Sequence, residues 1–447
     1  MKSDQYSRSC LSYSWVVVTL VIHVLLFFVV WCCFSGWVNY DAGLQWGQVQ
    51  TGQYNNWHPF AHTIAFMKLP SLLWNDYRVV ILSQIVIFSI AIGYLAKTLE
   101  LCGGGKILRR CIMLSLLAHP LTIFFIQTMP KDSVFAVCVL LSLSATLRII
   151  ASQGEDLRKW STVIVLSFGL SFACLVRHNG IFFSVPLLFM LIMKYFRHGK
   201  LLRCMIGMLV LMTLFKVALP YIFNVSPASQ HSKKYLFIES AGMPLTIMGA
   251  VYVKHPDEIP GEVAALLESI RPREIWLERY KLGSFNLVKH AGVSRLSEET
   301  IAGIKFQGWM HFAKAFYGTV EVDPKTAISA FIALTEQVWN PFTFQDEDIE
   351  FPLVKTGLWK YRGIILPIVR LMHIPILGMI PLVVLSLVCM SVMAVAMRRY
   401  NALVLSIPML CYNFGTMMLL SGFNMQRLFF CNVLVGLPVI WSMVKYE

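Results

Sequence analysis

The sequence predicts an all-α polytopic membrane protein, and three observations carry that reading. Of 447 residues, 57% are hydrophobic and only 14% are charged, whereas soluble domains carry about 25% charged residues. The mean hydropathy is +0.64. Apolar runs recur along the whole chain, and about 20 apolar residues suffice to cross a bilayer as a helix. This composition excludes a soluble globular enzyme, a disordered chain and a disulfide-built secreted domain.

Ten spans fit the apolar runs, at about 14–36, 77–98, 108–128, 133–151, 160–177, 180–196, 204–223, 373–397, 401–419 and 425–443. The first run, Leu11–Val38, is too long for a signal-peptide core, and no small-residue cleavage pattern follows it. The span at 180–196 is short, as tilted or partly immersed elements are. Basic residues then fall on alternate sides. Lys2 and Arg8 precede the first span, and Lys97, Lys106, Arg109 and Arg110 follow the second. Arg148, Arg158 and Lys159 follow the fourth, and Lys194, Arg197, Lys200 and Arg203 the sixth. Arg398 and Arg399 follow the eighth, and Lys445 the tenth. The positive-inside rule places all of them, and both termini, in the cytoplasm.

The opposite face receives a first loop at 37–76, tight turns at 129–132 and 177–180, the segment 224–370 and a short loop at 420–424. The expected organisation is an N-terminal transmembrane module at 1–223, an extracytoplasmic domain at 224–370 and a C-terminal transmembrane module at 371–447. The net charge is +14. Residues 224–370 hold 16 bases and 16 acids, so the excess lies in short loops, where it sets topology. A nucleic-acid binder would gather it on a folded domain, so no nucleic-acid partner is expected. None of the 11 Cys falls in 224–370, which excludes a disulfide or a cysteine metal site there.

Within 224–370 the pattern predicts an amphipathic helix over Gly261–Lys281, a second over Glu298–Phe316 and a third over Lys325–Trp339. The third is apolar enough to lie on the membrane surface. Pro244, Pro256, Pro260 and Pro272 are expected to break the rest into turns.

Ionisable groups near spans are costly, so their positions carry information. Asp41, His58, His62, Lys131, Asp132, Arg177, His178 and Arg427 all map to extracytoplasmic ends of different spans. Asp41 is the only acid in 37–75. A carboxylate held beside a hydroxyl serves as a general base, and the bland alternative is a helix cap. His58 and His62, at i and i+4, have the spacing of a ligand pair but lack a recognisable third ligand. Hydrogen bonding at a helix start is the plainer reading, and a polar role lining a cavity the favoured one. No cofactor is called for, and a divalent cation finds no support in the spacing.

Gln45, Gln48, Tyr54, Asn55, Asn56 and Trp57 offer the hydrogen bonding and stacking that suit a sugar, and equally the membrane interface. Lys131 could neutralise a phosphate, and Asp132 could cap a helix, position Lys131 or bind a divalent cation. Arg177 has the fork for a phosphate, against the alternative of snorkelling, and Gly180 permits a tight reversal. Arg427, behind Asn424 and Gln426, must be paired or face water. Cys102-Gly103-Gly104-Gly105-Lys106 lacks the spacing of a phosphate loop, so no nucleotide fold is expected.

Taken in order, these residues resemble the GT-C superfamily of integral-membrane glycosyltransferases, and are similar to bacterial DUF6020-type proteins. The matching elements are Asp41, Trp57-His58-Pro59, Pro130-Lys131-Asp132, Arg177-His178-Asn179-Gly180, Arg427, and the stretch from Phe316-Tyr317 to Trp339-Asn340-Pro341. The chain departs from the superfamily in having Tyr40-Asp41 where many members have an acidic pair, and Met425 two places before Arg427.

The resemblance implies a GT-C-like helical bundle in the bacterial inner membrane with an extracytoplasmic active site. It implies transfer of a sugar from a polyprenyl-phosphate donor to a lipid-linked or surface glycan, with Asp41 as catalytic residue. His58, Lys131, Asp132, Arg177, His178, Asn179 and Arg427 would bind substrate. The ten-span layout is also similar to the glucosyltransferases that modify O-antigen of lipopolysaccharide, which implies glucose as the sugar. Membrane lipids, a donor-synthesising glycosyltransferase and a small flippase are the partners that follow. Two other classes stay open: a flippase of a polyprenyl-linked sugar or glycan, and an external acyl- or phosphoethanolamine-type transferase. One-sided polarity favours the glycosyltransferase over the flippase, which needs polar groups toward both faces.

Overall fold

The apolar runs are helical wherever they fall among the described residues of the computed structural model. Those residues are 10–34, 40–103, 105–128, 131–196, 199–226, 230–283, 287–288, 298–340, 380–419 and 426–445. Among them there is no strand. Among the described residues, four helices are long and apolar enough to cross a membrane: Arg78–Leu101, Lys131–Ala151, His178–Tyr195 and Leu201–Ile222. Shorter apolar helices cover Tyr13–Phe28, Trp160–Val176, Ile380–Ala396 and Phe429–Met443. The chain is a helical membrane protein by these marks.

The described residues sort into two compact units, one drawn from 1–226, 346–413 and 426–447, the other from 227–345 and 414–425. In the first unit, Lys131–Ala151 is the central helix, and 94% of its apolar window is buried. It packs against Arg78–Leu101, Trp160–Val176 and Gln426–Lys445. Small residues allow the closest of these approaches, because a Cβ on Gly169 would strike Ser142 and Cys138 of the central helix. Leu201–Ile222 is the opposite case. Only 11% of its apolar window is buried, so most of it is left for lipid.

Two expectations about the spans change. The run 108–128 is two helices, Lys106–Ala118 and Pro120–Ile126, because Pro120 drives His119 into an extended conformation. The His119 ring then caps the second helix by accepting from the Leu121 N–H at 3.2 Å. Arg148, expected in a cytoplasmic loop, is buried in the central helix. It donates to Thr98 Oγ1 and the Cys10 carbonyl, each at 2.7 Å, and covers the Tyr94 ring at 3.9 Å. A buried arginine is tolerated when its fork is filled in this way.

The second unit is helical as well. Gln230–Lys254, Gly261–Ile270, Arg273–Arg279, Glu298–Val322 and Pro324–Trp339 form it. Leu245, Tyr252, Val263, Leu267, Trp276 and Leu334 are among the residues of its core. Pro244 sits inside the first helix instead of breaking it. Pro272 does break the helix expected over Gly261–Lys281, leaving Arg271 extended. The helix expected at the membrane surface buries Ala327, Ala330 and Leu334 in its own unit's core, while Ile328 and Ile332 stay exposed.

Candidate functional site

Three polar segments that the sequence keeps far apart meet in the first unit. The first-loop segment is folded by its own polar groups. Tyr40–Thr51 is a helix with Asp41 in its first turn, where the helix dipole favours a carboxylate. Gln45 Nε2 donates to Thr63 Oγ1 at 2.8 Å, and Gln48 and Asn55 exchange bonds at 3.2 and 3.3 Å. These groups, read from sequence as candidates for a sugar, are engaged in holding the loop. The loop is also tied to the end of the Leu201–Ile222 helix. Ser226 N donates to the Tyr54 carbonyl at 3.0 Å, and Tyr54 and Phe60 meet the Phe223 ring edge-on and tilted.

The second segment is the start of the central helix. Gln84 donates to the carbonyls of Phe125, Ile126 and Thr128 at 3.2, 3.1 and 2.9 Å. Ser133 Oγ donates to the Phe125 carbonyl at 2.6 Å. The preceding helix end is thus fixed, and with it the place where Lys131 and Asp132 emerge. The third segment is the turn Arg177–Gly180. Gly180 has φ −59°, so its value is not conformational. A Cβ there would run into the Ala173 carbonyl, and the close return of the chain requires its absence.

The ammonium of Lys131 joins the first two segments. Its Nζ lies 3.5 Å from Asp41 Oδ2 and 3.3 Å from His58 Nδ1. An ammonium can only donate, so His58 Nδ1 accepts and the ring proton belongs on Nε2. Asp41 and Lys131 side chains keep 29% and 18% of their exposure, enough for a ligand to reach them. Asp132, expected beside Lys131, instead forms a buried ion pair with Arg177. Arg177 Nε also donates to Asn179 Oδ1 at 2.9 Å, and Asn179 Nδ2 donates to Tyr412 Oη at 3.4 Å. The guanidinium lies 5.9 Å from the centre of the Phe135 ring, which stacks tilted on Tyr412 at 4.8 Å.

His62 is buried beneath this cluster and stacks on Phe66. Its pKa is pushed down to about 3, first by burial and then by the charge of Lys131. The ring is therefore neutral at ordinary pH. His178 is exposed. Among the described residues no three His, Cys, Asp or Glu side chains are grouped to hold a metal ion. Arg427 lies in the Gln426–Lys445 helix, but its side chain is outside the described residues.

Tyr412 joins this cluster without having been marked by the sequence reading, for it had no signal beyond a hydroxyl in an apolar run.

No curated protein and no solved structure matches the chain. Residues 75–446 match the family of unknown function DUF6020, and the chain belongs to that family.

Proposed function

We propose that the protein is an inverting glycosyltransferase that uses a polyprenyl-phosphate sugar on the extracytoplasmic face of the bacterial inner membrane. In this reading the chain makes ten spans, with both termini in the cytoplasm. The observation that carries it is the Asp41–Lys131–His58 contact, which sets a partly exposed carboxylate beside a partly exposed ammonium. Such a pair supplies the two groups that the transfer needs.

Asp41 takes the proton of the acceptor hydroxyl as its oxygen attacks the anomeric carbon. The bond from that carbon to the donor's phosphate oxygen breaks, and its electron pair leaves on the phosphate. Lys131 meets the charge that develops there, the kind of stabilisation that usually dominates catalysis. A single displacement inverts the anomeric centre. His58 holds Lys131 from the other side. Arg177 and Asp132, filled by one another, brace the two turns, while His178 and Asn179 line the edge. Arg427 is retained as a further phosphate contact. The sugar, for which glucose is the first choice, and a glycan acceptor such as O-antigen complete the reading.

The test is incubation of the purified full chain with a panel of polyprenyl-phosphate sugars and lipid-linked glycans, read by product mass. A product heavier by one sugar, with inverted anomeric configuration, is the expected result. Movement of the donor across proteoliposomes without any product would favour a flippase instead.

A further inference from the structure

Of the first-loop side chains suited to a sugar, most are used by the loop itself. Gln45 bonds Thr63, Gln48 and Asn55 bond one another, and Tyr54 is buried against Phe60 and Phe223. Asn56 and Trp57 are left at the surface. Asn56 is exposed, and its side-chain amide makes no hydrogen bond among the described residues. Trp57 is half-buried.

The backbone that carries these two is nonetheless fixed on both sides. Asn56 N donates to the Ser226 carbonyl at 3.3 Å, and Trp57 N donates to Asn55 Oδ1 at 3.1 Å. Ser226 Oγ returns to the Tyr54 carbonyl at 3.1 Å. A turn held in this way loses little entropy when it takes a ligand.

A tryptophan near a membrane is commonly an interface anchor. Trp74, in the same loop, fits that description. It follows the exposed Leu72 and Leu73, stands just before the Arg78–Leu101 span, and lies under the Arg78 guanidinium at 5.0 Å. Trp57 is placed differently. Its chain neighbours are Asn55, Asn56 and His58, and its ring meets the His58 ring edge to face, with 6.4 Å between centroids. His58 Nδ1 accepts from Lys131 at 3.3 Å, and Lys131 Nζ stands 3.5 Å from Asp41. Side-chain contacts therefore run without a break from Trp57 to the carboxylate–ammonium pair.

A pyranose ring has a face of C–H groups and a rim of hydroxyls. The C–H face is slightly positive and meets the negative face of an indole, while a carboxamide offers the hydroxyls both a donor and an acceptor. We propose that Trp57 and Asn56 form a subsite for a pyranose ring, occupied by the sugar of the polyprenyl-phosphate donor. The ring stacks on the open part of the indole, Asn56 hydrogen-bonds its hydroxyls, and the attached phosphate reaches past His58 to Lys131. The identity of the carrier lipid rests on the glycosyltransferase reading, whereas the subsite for the ring does not.

The test uses the purified full chain in phosphatidylcholine nanodiscs. Its ligands are undecaprenyl phosphate and undecaprenyl-phosphate glucose, galactose, mannose and N-acetylglucosamine. The wild type is expected to bind at least one of the sugar lipids roughly ten-fold or more tighter than the bare lipid. Trp57→Ala should lower that preference roughly ten-fold, the scale of one stacked aromatic contact. Asn56→Ala should lower it roughly five-fold, the scale of one hydrogen bond between neutral groups. Both should bind the bare lipid as the wild type does. Trp57→Phe, which keeps an aromatic face, should retain part of the preference, and Trp74→Ala should retain all of it.

A wild type that prefers none of the sugar lipids would overturn the subsite. So would equal losses for bare and sugar-bearing lipid in Trp57→Ala, the mark of a membrane anchor or a loop brace. If Trp57→Ala keeps the donor preference and weakens an undecaprenyl-diphosphate-linked glycan instead, the ring belongs to the acceptor and the donor assignment falls. A wild type that prefers a sugar lipid through Trp57 but forms no glycoside would retire the transferase reading and keep the subsite. Full preference and full turnover in Trp57→Ala would do the reverse.

Discussion

The Lys131 ammonium lies 3.5 Å from the Asp41 carboxylate, and so joins the first turn of the Tyr40–Thr51 helix to the first residue of the Lys131–Ala151 helix. Each group gives the other its countercharge while both stay reachable. The pair is only partly exposed, so a ligand that reaches it meets both charges at once. The neighbouring Asp132–Arg177 pair is built the other way, buried on both sides. The two pairs therefore predict different responses to substitution.

Asp41→Asn nearly keeps the shape of the side chain and removes the base. Transfer is expected to fall by roughly 10²-fold or more, the usual worth of general-base catalysis, with thermal stability and donor affinity close to wild type. Asp41→Glu should recover little, because a displacement of about 1 Å is costly at a reacting centre. Turnover at saturating donor and matched membrane expression checks this. Near-normal turnover in the Asn variant would transfer the role to another acid.

Asp132→Ala and Arg177→Ala should each destabilise the first unit, by about 3–5 kcal/mol, because each takes a buried countercharge away from the other. The double variant Asp132→Leu/Arg177→Met should be more stable than either single one. Thermal unfolding of the four proteins in detergent gives the coupling directly. Should Arg177→Ala leave the melting temperature unchanged and abolish donor binding, the arginine is a phosphate contact and not a brace.

The ten-span topology is checked by cysteine labelling in a background without native cysteines. Lys314→Cys and Lys106→Cys both sit at exposed positions. The first should react with an impermeant thiol reagent in intact cells, and the second only after permeabilisation. Reaction of both from one side is incompatible with the alternation of basic loops.

The second unit should respond to pH at one place. His255 donates Nδ1–H to Glu258 and Nε2–H to Asp323, each at 3.1 Å, and Lys254 Nζ reaches Asp323 at 2.7 Å. The Glu258 and then the Asp323 hydrogen bonds raise the His255 pKa above its ordinary 6.5. A raised folded pKa stabilises fully below 6.5, and that contribution fades as pH climbs through the folded value. Asp323 is shifted the other way, first by Lys254 and then by the Thr326 N–H at the start of Pro324–Trp339. Its contribution is present above the ordinary 3.8 and fades only as pH falls well below that value. Amide exchange in the first turn of Pro324–Trp339, corrected for intrinsic rates, should therefore speed up as pH rises above 6.5. His255→Gln should flatten this profile. A profile that Gln leaves unchanged would assign the effect elsewhere.

Much of the helical layout was legible in the sequence because lipid imposes a single rule. A backbone that crosses hydrocarbon must satisfy its own hydrogen bonds, so long apolar runs become helices. The chain's helices at Arg78–Leu101, Lys131–Ala151 and Trp160–Val176 follow the apolar runs within a few residues. Local rules without that constraint did less well. Pro244 stayed inside a helix whose neighbours pack on its core, whereas Pro120 and Pro272 ended theirs. Proline forbids one hydrogen bond and one conformation of its predecessor, and tertiary packing decides whether the helix survives them.

The polar residues divide in the same way. The sequence by itself determined which ionisable groups stand at the ends of apolar runs, since burying a charge in lipid restricts where it can occur. Only the tertiary structure decided who meets whom. Lys131 and Asp132 are adjacent, yet successive side chains on a helix point about 100° apart. One therefore faces Asp41 and His58, and the other faces Arg177. Pairing across turns depends on helix rotation and approach, and those are set by the summed packing of Gly169, Gly180 and their neighbours rather than by any local pattern.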